Sequence, residues 1–195
     1  MLPDLPPLLP IEDASLPYEA RLETRGIADI TGVVIHCTET PDLAVAREFG
    51  ERVLYPSGAG NSGHYYIDRD GRVLRYVELG RIAHHVRGMN AGTVGIELVN
   101  RGRWPRWLDS DHQAMDEPYP PAQIAALIDL LADLKARLPN LHWIAGHEDL
   151  DRERVAAADD PAVTVARKRD PGPLFPWSQV LGATPLERRH APAHE

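Results

Sequence analysis

The chain has 195 residues, a formal net charge of −8, one cysteine and 18 prolines. This length suits a single domain whose core needs no disulfide or metal staple, and one cysteine rules out a disulfide framework. The acidic balance argues against a phosphate-neutralising surface, so no nucleic-acid partner is expected; with no apolar run near the roughly 20 residues that span a bilayer, no membrane insertion is expected either.

Residues 1–20, MLPDLPPLLPIEDASLPYEA, are acidic and broken by prolines, and lack the basic and apolar regions of a signal peptide. They are expected to form an extended arm, with the functional domain over residues 21–195. The β-branched run Val33-Val34-Ile35-His36-Cys37 lies between Gly32 and the polar Thr38-Glu39-Thr40-Pro41. It predicts a buried central strand with His36 at its C-terminal end and Cys37 as a core thiol. Helical spacing follows in Val45, Phe49 and Val53, with the start expected at Thr40-Pro41.

HYYIDRDGRVLRYV, residues 64–77, predicts a hairpin around Asp70-Gly71, where glycine supplies positive φ. In VGIELVN, residues 94–100, Val94, Ile96 and Leu98 share one face of a strand, and Gly95, Glu97 and Val99 share the other. Glu97 thus sits mid-strand, an unusual address for a solvated acid. From Pro121, the spacing of Ile124, Leu127, Ile128, Leu131, Leu134 and Leu138 predicts an amphipathic core helix stopped by Pro139-Asn140. Residues 141–145 predict a strand ending in Gly146-His147. Strands interleaved with helices indicate an α/β domain with a mixed central β-sheet flanked by helices, with function on strand ends and loops.

His36 and His147 end separate predicted strands, and Asp170 lies in RKRDPGP, residues 167–173. Taken singly, each histidine reads as an ordinary hydrogen-bonded side chain, and Asp170 as a turn carboxylate neutralised by its cationic neighbours. Brought together, two imidazoles and a carboxylate make three zinc ligands and leave a fourth position for water. A residue before proline is extended, and alternate side chains of an extended segment share a side. Lys168 and Asp170 are therefore expected to face one way, and Arg167 and Arg169 the other.

Five stretches, VVIHCTET, GNSGHYYIDRDGRVLRYV, RIAHHVRGMNAGTVGIELVN, IAGHEDLDRER and RKRDPGPLFPW, occur in an order that resembles a known family. It is that of the zinc-dependent N-acetylmuramoyl-L-alanine amidases that share a fold with peptidoglycan-recognition proteins, and within it the AmpD-like branch. The resemblance covers about residues 30–178. It implies Zn²⁺ held by His36, His147 and Asp170, with Glu97 as the catalytic acid and Lys168 as the cation of the transition state. The third ligand is a cysteine in some phage and animal relatives, so Asp170 points to the AmpD-like branch. Where some relatives carry a tyrosine just before the hairpin histidine, this chain has Gly63, which leaves proton transfer to Glu97.

His85 and Asn90 match positions lining the family's substrate groove, although AHHVRG has His84 where the more usual AWHAG has tryptophan. His64 matches a recurrent family histidine and is a substrate-binding candidate, expected on the site wall or just behind it, with packing in the core as the ordinary alternative. The segment 149–166 is expected to form a flap of open conformation over the groove. The implied reaction is hydrolysis of the amide between N-acetylmuramic acid, or its 1,6-anhydro form, and L-alanine in peptidoglycan or muropeptides, for cytoplasmic cell-wall recycling. The rival readings are a phage-type or secreted lytic amidase, which leaves the cell by lysis or by a route without a signal, a peptidoglycan-binding module without hydrolysis, and a zinc peptidase acting within the stem peptide.

Overall fold

The computed structural model describes residues 9–190. Its strands are β1 (Ile11–Asp13), β2 (Gly32–Cys37), β3 (Tyr65–Ile67), β4 (Val73–Arg75), β5 (Thr93–Leu98), β6 (Trp143–Gly146), β7 (Arg154–Ala156), β8 (Thr164–Ala166) and β9 (Glu187–Arg188). The helices are α1 (Leu43–Glu51), α2 (Pro121–Arg137), α3 (His147–Leu150) and α4 (Trp177–Ala183). Seven strands form one mixed sheet in the order β1-β4-β3-β5-β2-β6-β9. Every pairing in it is parallel except the β3–β4 hairpin. The sheet and its helices are the α/β architecture expected from the sequence.

Strand β2 is buried along its whole length, as a β-branched strand flanked by parallel neighbours must be. Its alternation sorts the two faces. Val33 and Ile35, with Val94, Ile96 and Leu98 of β5 and Ile144 of β6, pack against Leu127, Leu130, Leu131 and Leu134 of α2. Val34 points the other way and packs with Trp143, Ala145 and Val86. His36 lies two residues after Val34 and so belongs to this second face, away from α2.

Of the expected arm, residues 1–8 lie outside the described residues. Strand β1 continues the sheet by pairing with β4, and Leu16 and Tyr18 are buried. The hairpin turns where expected, with Gly71 at φ 90° and the Asp68 N–H donating to Arg72 O.

Two helices depart from the sequence reading in detail. Asp42, not Thr40-Pro41, caps α1 by accepting from the Val45 N–H at 2.8 Å, as an N-cap carboxylate does. The face of α1 that is buried carries Ala46 and Gly50, while Val53 lies beyond the helix and is exposed. In α2 the buried positions include Leu130, whereas Ile128 is only partly buried. Leu127→Ala should therefore destabilise the protein by about 2–5 kcal/mol, the cost of a cavity in a closed core. Ile128→Ala should cost clearly less, and urea denaturation of the two variants side by side checks the ranking.

Candidate metal centre

The sheet places the first two groups of the site. Parallel pairing sets His36 of β2 directly opposite Glu97 of β5, and both side chains project from the face away from α2. Strand β6 ends at Gly146, and His147 opens α3 immediately after it. Asp149 accepts from the Gly146 N–H at 2.9 Å and fixes that turn. Asp170 arrives from far along the chain. Its carbonyl accepts from the Glu148 N–H at 2.9 Å, which docks the RKRDPGP segment beside His147.

His36, His147 and Asp170 are all buried, and one potential ligand atom from each lies within 4.8 Å of the others. His36 Nδ1 is 2.9 Å from Asp170 Oδ2, and His147 Nδ1 is 3.1 Å from the same oxygen. The fit to a cation is good on two counts. Two imidazoles and a carboxylate are the donor set that zinc takes, and Asp170 Oδ1 is buried with no hydrogen-bond partner, a state that normally demands explanation. Burial pushes the His36 imidazole down to about 4, so it is neutral and able to ligate. Burial also opposes charge on Asp170, but His147 and His36 outweigh it and hold the carboxyl well below the usual range.

Around this cluster opens a groove of about 1030 Å³, with Glu97, Tyr66, Phe49, Trp107 and Lys168 on its walls. Burial first, then the charge of Asp170, pushes the Glu97 carboxyl up to about 8, against the pull of Lys168. Gly63 lies against Glu97: a Cβ there would come within 2.9 Å of Glu97 Cγ. A tyrosine at position 63 and Glu97 in its present place are thus mutually exclusive.

Lys168 and Asp170 both line the groove, but so does Arg167, which sequence alternation had assigned to the opposite side. Ion pairs to Asp151 and Glu153 draw it there. The expected flap is an antiparallel hairpin of β7 and β8. It is tied to the 101–110 loop by Ala158 N–H to Leu108 O and by the Ser110 N–H and hydroxyl, which donate to the Asp159 carboxylate.

His64 is not on the groove wall. Its exposure is 0%, and it accepts from the Gly95 N–H at Nδ1 while Nε2 lies against Arg81 O and Arg25. It therefore lies behind the groove wall and packs in the core. His85 and Asn90 line the groove, yet their polar atoms are turned inward. His85 faces His36 and Thr93, and Asn90 Oδ1 accepts from the His85 and Val86 N–H groups.

Three groups went unnoticed in the sequence. Arg103, 1% exposed, donates from Nε and Nη2 to the two oxygens of Glu39 and from Nη1 to Ala166 O. Arg25 donates to the carbonyls of Leu79, Asn90, Ala91 and Thr93. Thr93 faces His85. The clustered arginines of residues 101–106 were a signal for the first; nothing local marks the other two.

A family model described as N-acetylmuramoyl-L-alanine amidase matches residues 27–173. Among curated proteins, the chain is 39% identical over 105 residues to N-acetylmuramoyl-L-alanine amidase AmiD of Escherichia coli K12, covering 52% of this chain and 32% of AmiD. It is 31% identical over 166 residues to putative N-acetylmuramoyl-L-alanine amidase RC0497 of Rickettsia conorii, covering 78% of this chain and 51% of that protein. The chain thus spans between about a third and a half of the length of these relatives. Among solved structures, E. coli AmiD in complex with anhydro-N-acetylmuramic acid-L-Ala-D-γ-Glu-L-Lys superimposes with a TM-score of 0.57 at 28% identity, over 80% of this chain and 57% of that one.

The raised Glu97 carboxyl predicts how the metal-free protein responds to pH. With its value moved from 4.5 to about 8 on folding, the folded state binds this proton more tightly than the unfolded state. The protein therefore loses stability as pH rises through that window. Glu97→Gln removes the effect, so the variant should gain stability relative to the parent between pH 5 and pH 8, as read by urea denaturation in the presence of a chelator. An unchanged difference at the two pH values would contradict the assignment.

Proposed function

The chain belongs to the N-acetylmuramoyl-L-alanine amidase family, and we propose that it hydrolyses the amide between N-acetylmuramic acid, or its anhydro form, and L-alanine in muropeptides. The observation that carries this reading is the convergence of His36, His147 and Asp170 in a groove that also holds Glu97 and Lys168. In this reading residues 21–195 form the amidase domain and residues 1–20 a separate arm, of which β1 lies at the sheet edge beside β4.

His36 and His147 through Nδ1, with Asp170, would hold Zn²⁺. That ion supplies Lewis acidity toward a carbonyl oxygen and lowers the pKa of water toward neutrality. Glu97 accepts the proton of the attacking water and returns it to the departing amine. An acid–base group serves best with a pKa near the working pH, and about 8 lies in that range. The amine leaves only when protonated, so one carboxyl serves both steps.

Lys168 stabilises the oxyanion that forms on the carbonyl. The other cations lining the groove are already matched: Arg52 with Glu48, Arg87 with Glu153, Arg103 with Glu39, and Arg167 with Asp151 and Glu153. Among the described residues, Lys168 is the groove-lining cation without an acid partner, which keeps its ammonium available to the substrate. Action on soluble anhydromuropeptide is part of the same reading, supported by the anhydro ligand of the AmiD complex, and cytoplasmic recycling is the role we propose for it.

Digestion of purified anhydromuropeptide, followed by mass spectrometry of the new termini, should show a free L-alanine amino group that disappears on chelation and returns with zinc. Cleavage within the stem peptide would sink the reading, and tight binding without cleavage would favour a binding module. Faster turnover of intact sacculi than of soluble muropeptide would move the role from recycling to lysis. Glu97→Ala should keep zinc and lose about 10²–10⁴-fold in kcat, and Lys168→Ala about 10²–10³-fold.

A further inference from the structure

A chain of contacts runs from the ligand cluster into the protein behind it. His36 turns Nδ1 toward Asp170 and presents Nε2 to His85 Nδ1 at 3.0 Å. His85 Nε2 lies 3.2 Å from Thr93 Oγ1, and Thr93 Oγ1 lies 2.8 Å from the Met89 carbonyl. The direction of every proton along this chain can be worked out from its far end.

A carbonyl oxygen only accepts, and a hydroxyl has one proton to give. Thr93 therefore donates to Met89 O and has only lone pairs left for His85, so His85 Nε2 must carry a proton. The two ring nitrogens of His85 face His36 Nε2 and Thr93 Oγ1, neither of them an acid. A second proton on this buried ring would have no counter-ion, so His85 Nδ1 is a lone pair. His36 Nε2 must then be the donor in the contact between the two rings, which leaves His36 Nδ1 bare once a cation, and not a proton, stands between it and Asp170 Oδ2.

We infer that Thr93 and His85 are positioning residues that fix the His36 proton on Nε2, so that Nδ1 is the atom left to bind the metal. The inference rests on the reading of His36 as a ligand. An orienting partner on the far nitrogen of a metal-binding histidine sets its tautomer and ring orientation; here the partner is a second imidazole whose own tautomer is set by a threonine. The sheet makes room for the device at Gly95. A Cβ there would meet His85 Cγ at 2.6 Å and Nδ1 at 2.7 Å, so the ring lies flat on bare backbone. Asn90 holds the His85 backbone from the other side. Gly95, Asn90 and Thr93 thus share one task.

The test uses the full chain with ¹⁵N-labelled histidine and two readouts that need no substrate. In the zinc-loaded parent protein, long-range ¹H–¹⁵N spectra should show His36 protonated at Nε2 and bare at Nδ1. Competition with a chelator should show zinc affinity falling about 10–100-fold in His85→Leu. Thr93→Val should show a loss in the same direction together with a mixture of His85 tautomers. His85→Asn, which offers a carbonyl oxygen where Nδ1 stood, and Thr93→Ser, which restores the hydroxyl, should recover most of the loss. Far-UV circular dichroism and Tm identify any variant that fails to fold, and the conservative pair still decides the matter in that case.

A His36 protonated at Nδ1, or zinc affinities of Thr93→Val and His85→Leu within twofold of the parent, would overturn the inference. The two readings fail separately: a protein that binds zinc with the Nε2 proton on His36 but cleaves no muropeptide sinks the amidase proposal and leaves the relay standing. A zinc-binding protein with the wrong tautomer does the reverse.

Discussion

The site depends first on the parallel register of β2 between β5 and β6. Because side chains alternate along a strand, a slip of one residue exchanges the two faces of that strand. In the observed register His36 and Glu97 are direct neighbours on the face away from α2, while Ile35, Ile96 and Leu98 fill the core beneath α2. A slip of β2 would bury an imidazole against leucines and turn Ile35 into the groove. The hydrophobic pattern that stabilises the fold is thus the same pattern that aims the chemistry. The chain also reverses direction across the sheet at β2, leaving toward β5 on one side and returning to β6 on the other, and ligand sites in parallel sheets form outside the strand ends at such switch points.

The sheet supplies only part of the site; loops must bring the remainder, and buried arginines bind those loops together. Arg103 grips Glu39 with both forks and also reaches the carbonyls of Ala166 and Arg167. That ties the end of β2, the 101–110 loop and the residues just before Lys168 into one unit. Arg25 does the same behind His85 through four backbone carbonyls. A guanidinium suits this work because its donors leave in a fixed planar fan and it stays charged when buried. Loss of its proton is disfavoured even where burial lowers Arg25 to about 10.

The sequence carried the parts of this arrangement that repeat a local pattern. The buried strand of His36, the hairpin at Gly71, the mid-strand position of Glu97 and the leucine face of α2 follow from periods of two and 3.6 residues and from turn chemistry. The order of five motifs then linked His36, His147 and Asp170, which lie too far apart in the chain for any spacing rule. What stayed hidden was settled by tertiary contact. Arg167 turns into the groove because Asp151 and Glu153 are there, against the alternation of its own segment. The 149–166 segment folds into a hairpin whose exposed strands have weak patterning, and which the 101–110 loop holds in place. His64 matched a wall position as well as a buried one, and the Gly95 N–H that it accepts from decides for the buried one.

Electrostatics explain why so few of the groove's charges are available for chemistry. Four groove-lining arginines are matched by acids, three of them on other loops, so they cement the walls and add little field to the space between them. Glu97 and Asp170 remain on the acidic side, and each raises the cost of ionising the other. Asp170 prevails because two imidazoles support it, and Glu97 is left holding its proton up to about pH 8. One carboxyl ionised and built into the ligand set, the other able to take up and release a proton near neutral pH and open to the groove, is the division of labour that a water-activating site requires. It arises here from a single difference in surroundings: Asp170 lies between His36 and His147, and Glu97 has Tyr66 and bare Gly63 beside it.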